Sequence, residues 1–329
     1  LIIFLVSIMK NSPLFFDYQS TTPCLPEVVE AMNPFWTINC GNPSNRQNFS
    51  GTYASAAINL ARDQICSVLK VKPDNLVFTS GATEANNLAL IGCARAKATQ
   101  FGRPGHLITL TTEHHAVLDP LRQLQREGFR LTELSPEANG LVSIKNLINA
   151  FEDDTFLVTI MFGNNEIGVI QDLPLISSLC HERGVILHTD AAQSFGFSFL
   201  EFDTPGADLM SVSSHKIYGP KGIGALIYRN NVPITPLQWG GGQENGLRPG
   251  TLPVPLIMGM AKAVEVASNH FPDRSERMKQ LRDYLWNGLN NQIPDLDLNG
   301  SLDKRLPHNL NITVYGVKGS MLHRKLRPY

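Results

Sequence analysis

Short, mostly apolar runs punctuate the middle of the chain at intervals too regular to ignore. They read "NLVFTS" (75–80), "HLITLT" (106–111), "FRLTELS" (129–135), "TFLVTIMF" (155–162), "VILHTD" (185–190) and "DLMSVSS" (208–214). A strand with one wet face alternates apolar and polar residues; one buried on both faces does not. Between the runs lie helix-like stretches such as "ATEANNLALIGCARAKA", "HHAVLDPLRQLQREG" and "LPLISSLCHERG". Strands of this kind alternating with amphipathic helices require an α/β fold, a mostly parallel sheet covered by helices on both faces.

The tail changes character near Phe271-Pro272-Asp273. "SERMKQLRDYLWNGLNN" is a long amphipathic helix, and "DLDLNG" and "NLNITVYGV" read as strands of alternating polarity. The expected organisation is a large domain over 26–270 and a smaller α+β domain over 271–329, with residues 9–25 associated with the smaller one. Residues 1–8 read as a non-native leader ahead of Met9. The nine-residue "LIIFLVSIM" is too short to span a bilayer and has no basic stretch before it, so it is a poor signal peptide.

With 329 residues, 43% of them hydrophobic, the chain can bury a large core. Net charge is −1, with 28 basic against 29 acidic residues and no basic stripe, which argues against a nucleic-acid partner. The five cysteines are scattered singly, with no C-x-x-C. That pattern disfavours disulfides and a zinc knuckle and fits a reducing cytoplasm. No phosphate loop, dinucleotide fingerprint, H-E-x-x-H or G-x-S-x-G is present.

In open parallel sheets, ligands sit beyond the carboxyl ends of the strands. Those ends carry an unusual set here. Strand 75–80 delivers Gly81, Ala82 and Thr83; 106–111 delivers His114; 155–162 delivers Asn165; 185–190 delivers Asp190 and Gln193; 208–214 delivers Ser213, His215 and Lys216. Singly, each has a plainer reading. Lys216 could snorkel at a strand end, Asp190 could cap a helix starting at Ala191, and Asn165 could shape a turn. "SGATE" could be an ordinary capping box. Together they suit pyridoxal 5′-phosphate. Its aldehyde needs a lysine amine that can lose its proton, and its ring nitrogen needs a carboxylate, for which Asp190 stands ready. Its phosphate wants a helix N-terminus, offered by "SGATE", and hydroxyls, offered by Thr83 and Ser213. His114 is placed to stack on the ring.

"SSHKIYGPKGIGAL", "TSGATEANNLAL", "TEHHAVLD", "NNEIGV", "HTDAAQS" and "RPGTLPV", in this order, resemble the cysteine desulfurases, class-V aminotransferase-like enzymes of fold type I. The resemblance runs from about Phe16 to Ser320, and "DYQSTTP" (17–23) and "GNPSN" (41–45) match stretches that line the family's substrate entrance. It implies a seven-stranded, mostly parallel sheet in the large domain, pyridoxal phosphate as cofactor, and removal of sulfur from L-cysteine to leave L-alanine and an enzyme persulfide. Lys216 would carry the cofactor and move protons. Asp190 would pair with the ring nitrogen and Gln193 with the ring oxygen. His114 would stack and serve in acid–base steps, and Asn165 would touch cofactor oxygen and substrate carboxylate. Ala82, Thr83, Ser213 and His215 would hold the phosphate. Thr251 would reach the phosphate of a second copy, so a homodimer with a shared active site is expected. A sulfur-acceptor protein is implied as partner, with iron–sulfur clusters or thio-cofactors as destination.

One departure stands out. The family's sulfur-accepting cysteine belongs to an "SSGSAC"-like loop, and this chain ends at Tyr329 without one. The nucleophile and the substrate-carboxylate arginine are therefore expected beyond Tyr329, the smaller domain is expected to be incomplete, and the chain as written is expected to fail at persulfide formation and to be poorly soluble. A selenocysteine lyase and a catalytically silent cofactor-binding scaffold are the alternatives.

Overall fold

The computed structural model describes residues 15–326; the expected leader and Met9 lie outside them. Seven strands form the main sheet: β1 (Leu76–Thr79), β2 (His106–Leu110), β3 (Arg130–Leu134), β4 (Thr155–Thr159), β5 (Ile186–Asp190), β6 (Leu209–Ser213) and β7 (Gly224–Tyr228). Their order across the sheet is β1-β7-β6-β5-β4-β2-β3. All run one way except β7, which pairs antiparallel with β1 and with β6. The mostly parallel seven-stranded sheet is thus as the resemblance implied. The reversal of β7 follows from its short connection: only ten residues separate it from Ser213, too few for a parallel crossover.

The apolar runs are apolar because neighbouring residues serve different cores. Leu76, Phe78, Ile108, Val158, Leu187 and Met210 point into one core, and Val77, Leu107, Leu157, Ile186 and Leu209 into the other. On the first face lie α1 (Pro26–Met32), α2 (Phe49–Leu69), α5 (Ile144–Ala150), α6 (Leu173–His181) and α7 (Val254–His270). On the second lie α3 (Ala82–Phe101) and α4 (His115–Arg126). Helices α2 and α7 pack on each other. Asn48 starts α2 by accepting from the Gly51 N–H at 2.7 Å, and Lys70 ends it in the left-handed region.

Beyond α7 come α8 (Asp273–Gln292), a two-stranded antiparallel ladder of β8 (Leu296–Leu298) with β9 (Ile312–Val314), and α9 (Gly319–Leu326). Among the residues of α8 only Arg282 is buried, its guanidinium donating to the Leu306 carbonyl at 3.1 Å; Leu281, Tyr284 and Leu285 are exposed. The segment between the two strands returns to the main body: Ile170 donates to the Lys304 carbonyl at 2.9 Å and Leu306 to the Gly168 carbonyl at 2.8 Å. Among the described residues no helix is long and apolar enough to cross a membrane.

Gly224 opens β7 where it passes closest to the site. A Cβ there would meet the Val212 carbonyl oxygen at 2.5 Å and Gly81 Cα at 2.7 Å, both backbone atoms that cannot step aside. Gly224→Ala should therefore destabilise the fold by about 1–3 kcal/mol, read as a lower midpoint in urea with the same slope.

Candidate active site

The carboxyl ends of β1, β4, β5 and β6 converge on a cavity of about 570 Å³. Ala82, Thr83, His114, Asn165, Asp190, Gln193, Ser213, His215 and Lys216 all line it. Thr251 does not; it is exposed, away from the cavity of its own chain.

Asp190 is the last residue of β5 and 8% exposed. Its Oδ1 accepts from the Ala192 N–H at 2.9 Å, and its Oδ2 from Asn86 Nδ2 at 2.7 Å. The Ala192 bond has the local character of a cap, but a turn follows rather than a helix. Burial pushes the Asp190 pKa above the ordinary carboxylate value, while these two donors and the nearby His114 and Lys216 hold it down. Behind it the strand is fixed by His188, fully buried, with Nδ1 2.7 Å from Thr159 Oγ1 and Nε2 3.1 Å from Ser211 Oγ. Burial pushes that imidazole down to about 3, so it is neutral.

Lys216 ends a 3₁₀ turn, Ser214–Lys216, that follows β6 directly. The turn is tight: Gly219 packs so closely on Ser214 that a Cβ would lie 2.0 Å from its Oγ. The Lys216 Nζ donates to the carbonyls of Gln19 at 2.6 Å and Ser20 at 2.9 Å. Burial lowers its pKa from the ordinary lysine value, and Asp190 and Asp17 work against that. Beside it His215 Nδ1 lies 3.0 Å from Thr21 Oγ1. Burial first, then the charges of Lys216 and Lys221, push His215 down to about 4, so it is a neutral hydrogen-bonding group.

The start of α3 is built to receive an anion. Gly81 precedes it with φ 154°, and no side chain caps the helix. Glu84 reaches back to the Ser80 N–H at 2.6 Å, which is half of a capping box, and is itself paired with Arg248 at 2.8 Å. His114 caps α4, its Nδ1 accepting from the Ala116 N–H at 3.0 Å, which leaves the neutral ring's proton on Nε2. Gln193 Nε2 donates to the Gln19 carbonyl at 3.0 Å. Asn165 Nδ2 donates to Glu166 at 3.0 Å, and its carbonyl accepts from Gln19 Nε2.

Pyridoxal phosphate fits this set. A buried carboxylate is costly unless a positive group faces it, and a protonated ring nitrogen would be that group for Asp190. Uncapped N–H groups at the start of a 20-residue helix, with the hydroxyls of Thr83 and Ser213, suit its phosphate. Lys216 stands in the same cavity to hold its aldehyde. Among the described residues no cluster of three or more His, Cys, Asp or Glu could hold a metal ion.

Sequence reasoning passed over Asn86, Lys221 and Glu113, and met Gln19 only within "DYQSTTP", a stretch that resembles the family's substrate entrance. Asn86 had a signal, an amide in an alanine-rich helix one turn after the expected phosphate site. Glu113, 5% exposed, had none. Its Oε1 accepts from the Met161 N–H at 2.9 Å, and its Oε2 is buried without a partner.

A model of the aminotransferase class-V family matches residues 14–329. The chain belongs to that family. It lies among its cysteine desulfurases: it is 45% identical to cysteine desulfurase IscS of Escherichia coli strain K12 / DH10B over 320 residues, 96% of this chain and 78% of that one. A solved NifS-like protein superposes with a TM-score of 0.91 at 35% identity, covering 97% of this chain and 86% of the other. SspA, solved in complex with cysteine, gives 0.84 at 39% identity, covering 96% and 87%.

Burial drives the Glu113 pKa well above the ordinary value; the Met161 N–H works against this and Asp190 adds to it. The folded chain therefore keeps a proton that the unfolded chain releases above about pH 4.3. Stability from this group is full below that pH and is lost as pH rises toward the folded value. Glu113→Gln removes the titration, so the melting temperature of the variant minus that of the parent should grow between pH 5 and 8. A constant difference would show Glu113 ionised in the folded chain.

Proposed function

We propose that this chain is a pyridoxal phosphate-dependent cysteine desulfurase that takes sulfur from L-cysteine and leaves L-alanine. The observation that carries the reading is the pairing, in one cavity, of a half-buried lysine amine with a buried carboxylate, beside an uncapped helix start. The similarity to the cysteine desulfurase of Escherichia coli and to SspA with its bound cysteine supports the choice of substrate.

Bound pyridoxal phosphate supplies a ring that draws electrons from the substrate's Cα. Lys216 holds the cofactor through its amine and, when free, takes and returns the Cα proton; its lowered pKa suits that work. Asp190 would hold the proton of the ring nitrogen. Gln193 would bond the ring oxygen, and Asn165 would orient the substrate carboxylate. His114 would lie against the ring and move protons at Nε2, the nitrogen its helix cap leaves available. Thr83, Ser213, His215 and the backbone of Ala82 would hold the phosphate.

Sulfur transfer needs a thiolate. Burial pushes Cys66 up to about 11 and Cys93 and Cys180 up to about 12, which keeps all three as thiols. Cys24 is also raised by burial, and Cys40 is exposed. None of the three buried cysteines is the sulfur acceptor of the reaction.

The exposed Thr251 serves the phosphate of a second copy, so the working unit is a homodimer in the cytoplasm that hands sulfur to an acceptor protein. Residues 26–270 act as the cofactor-binding body and 271–329 as the smaller unit. The described part of the segment before residue 26 is bonded to both: Gln19 Oε1 accepts from Asn309 Nδ2 at 2.8 Å, while Thr22 and Leu25 donate to the carbonyls of His215 and Tyr218.

Purified protein given pyridoxal phosphate should turn yellow, and borohydride should fix the cofactor on Lys216. With L-cysteine it should change colour and exchange the substrate's Cα proton for solvent deuterium, steps that need Lys216 and no protein thiol. Lys216→Ala should lose the colour and slow that exchange by about 10³-fold. Exchange with selenocysteine but not with cysteine would favour the lyase reading, and colour without exchange of either a silent scaffold.

A further inference from the structure

The residues that the proposed mechanism leaves unused include a strap, residues 17–25, that crosses the cavity mouth. Thr22 donates to the His215 carbonyl at 3.0 Å and Leu25 to the Tyr218 carbonyl at 3.1 Å, so the strap follows the lysine turn closely. Gln19 is its centre. Its main-chain carbonyl accepts from both Lys216 Nζ and Gln193 Nε2. Its side chain is held at both ends: Nε2 donates to the Asn165 carbonyl, and Oε1 accepts from Asn309 Nδ2 at 2.8 Å.

Asn309 is in turn immobile. It is 1% exposed; its Nδ2 also donates to the Glu166 carbonyl at 3.0 Å, and its Oδ1 accepts from Arg305 Nη1 at 2.9 Å. Arg305, 4% exposed, anchors itself on the Ser301 and Asn299 carbonyls. A continuous polar chain thus runs from the catalytic amine through Gln19 to the segment before β9. Gly168 leaves room for it, since a Cβ there would lie 2.2 Å from Asn309 Oδ1.

We propose that Gln19 is a positioning residue for Lys216: its side-chain amide, clasped between Asn165 and Asn309, fixes the carbonyl that holds the amine whenever the amine is free. The inference deepens the functional reading above and rests on it for the meaning of the amine, though not for the clasp itself. A carbonyl fixed in this way favours the ammonium form and restrains its direction. The charged and titratable groups around the amine include Asp190, Asp17 and Glu84 as carboxylates, His215, His308 and His114 as imidazoles, and Lys221 as a second amine on the cavity wall. None of them touches the Gln19 side chain, so a change there acts through the carbonyl.

The test is the reactivity of Lys216 in the full chain stripped of cofactor, read by an acylating amine reagent and peptide mass spectrometry from pH 6 to 10. Exposed Lys221, which lines the same cavity, is the internal reference. Gln19→Met keeps the volume and removes both amide bonds; Gln19→Ala removes the side chain. Gln19 is half-buried on the strap, so neither change empties the core. Both variants should label Lys216 about tenfold faster at pH 8, as expected when a bond to a charged group is loosened, with the midpoint moved to lower pH and Lys221 unchanged. Asn309→Ala should act in the same direction, and the double variant should exceed Gln19→Met by nothing. A Lys216 profile that superimposes on the parent, or Lys216 and Lys221 rising together, overturns the proposal. Because labelling needs no cofactor, failure of the chain to take up pyridoxal phosphate would sink the functional reading and leave this result standing.

Discussion

Keeping a carboxylate charged at the end of a buried strand is the demand that organises this molecule. Asp190 has lost most of its water, and an ion in that position costs several kcal/mol unless neighbours compensate it. Two N–H donors, from Ala192 and Asn86, supply part of the compensation. The rest comes from positive charge brought near, of which Lys216 is the protein's own share. The same burial that burdens Asp190 weakens the proton affinity of Lys216. One dry cavity therefore prepares both a charged anchor and an amine able to act as a base.

The sheet makes this possible by ending its central strands on one side. β5 and β6 are neighbours in the sheet, so Asp190 and the turn that bears Lys216 are delivered side by side. α3 lies across β6 and β7 and starts beside them, which adds the anion-binding helix end. Reversed β7 closes the far side, and its Gly224 lets Gly81 approach to backbone contact.

Most of this architecture could be read from residues because it rests on local patterns. The apolar runs gave six strands to within a few residues, although "TFLVTIMF" stops being strand at Thr159. Ile160, Met161 and Phe162 stay buried there while the chain already turns toward the site. The direction of β7 was not legible, since an apolar run does not record which way it points. Helices α2 and α7 lay outside the alternating pattern and were not read at all. At the site, the residues past strand ends were found because the fold rule says where to look. Asn86, Glu113 and the particular role of Gln19 within its stretch were not, because their meaning lies in partners 104, 48 and 197 positions away.

That last separation also bears on how the protein is made. Residue 19 leaves the ribosome well before residue 309, 290 positions later, on which the side-chain clasp that steadies it depends. Domains generally fold as they emerge, and pairings between remote positions form late. The sheet can therefore stand complete, with its lysine in place, while the cavity mouth is still unfinished. In the cell, the mouth can close around the cofactor only after residue 309 has been made.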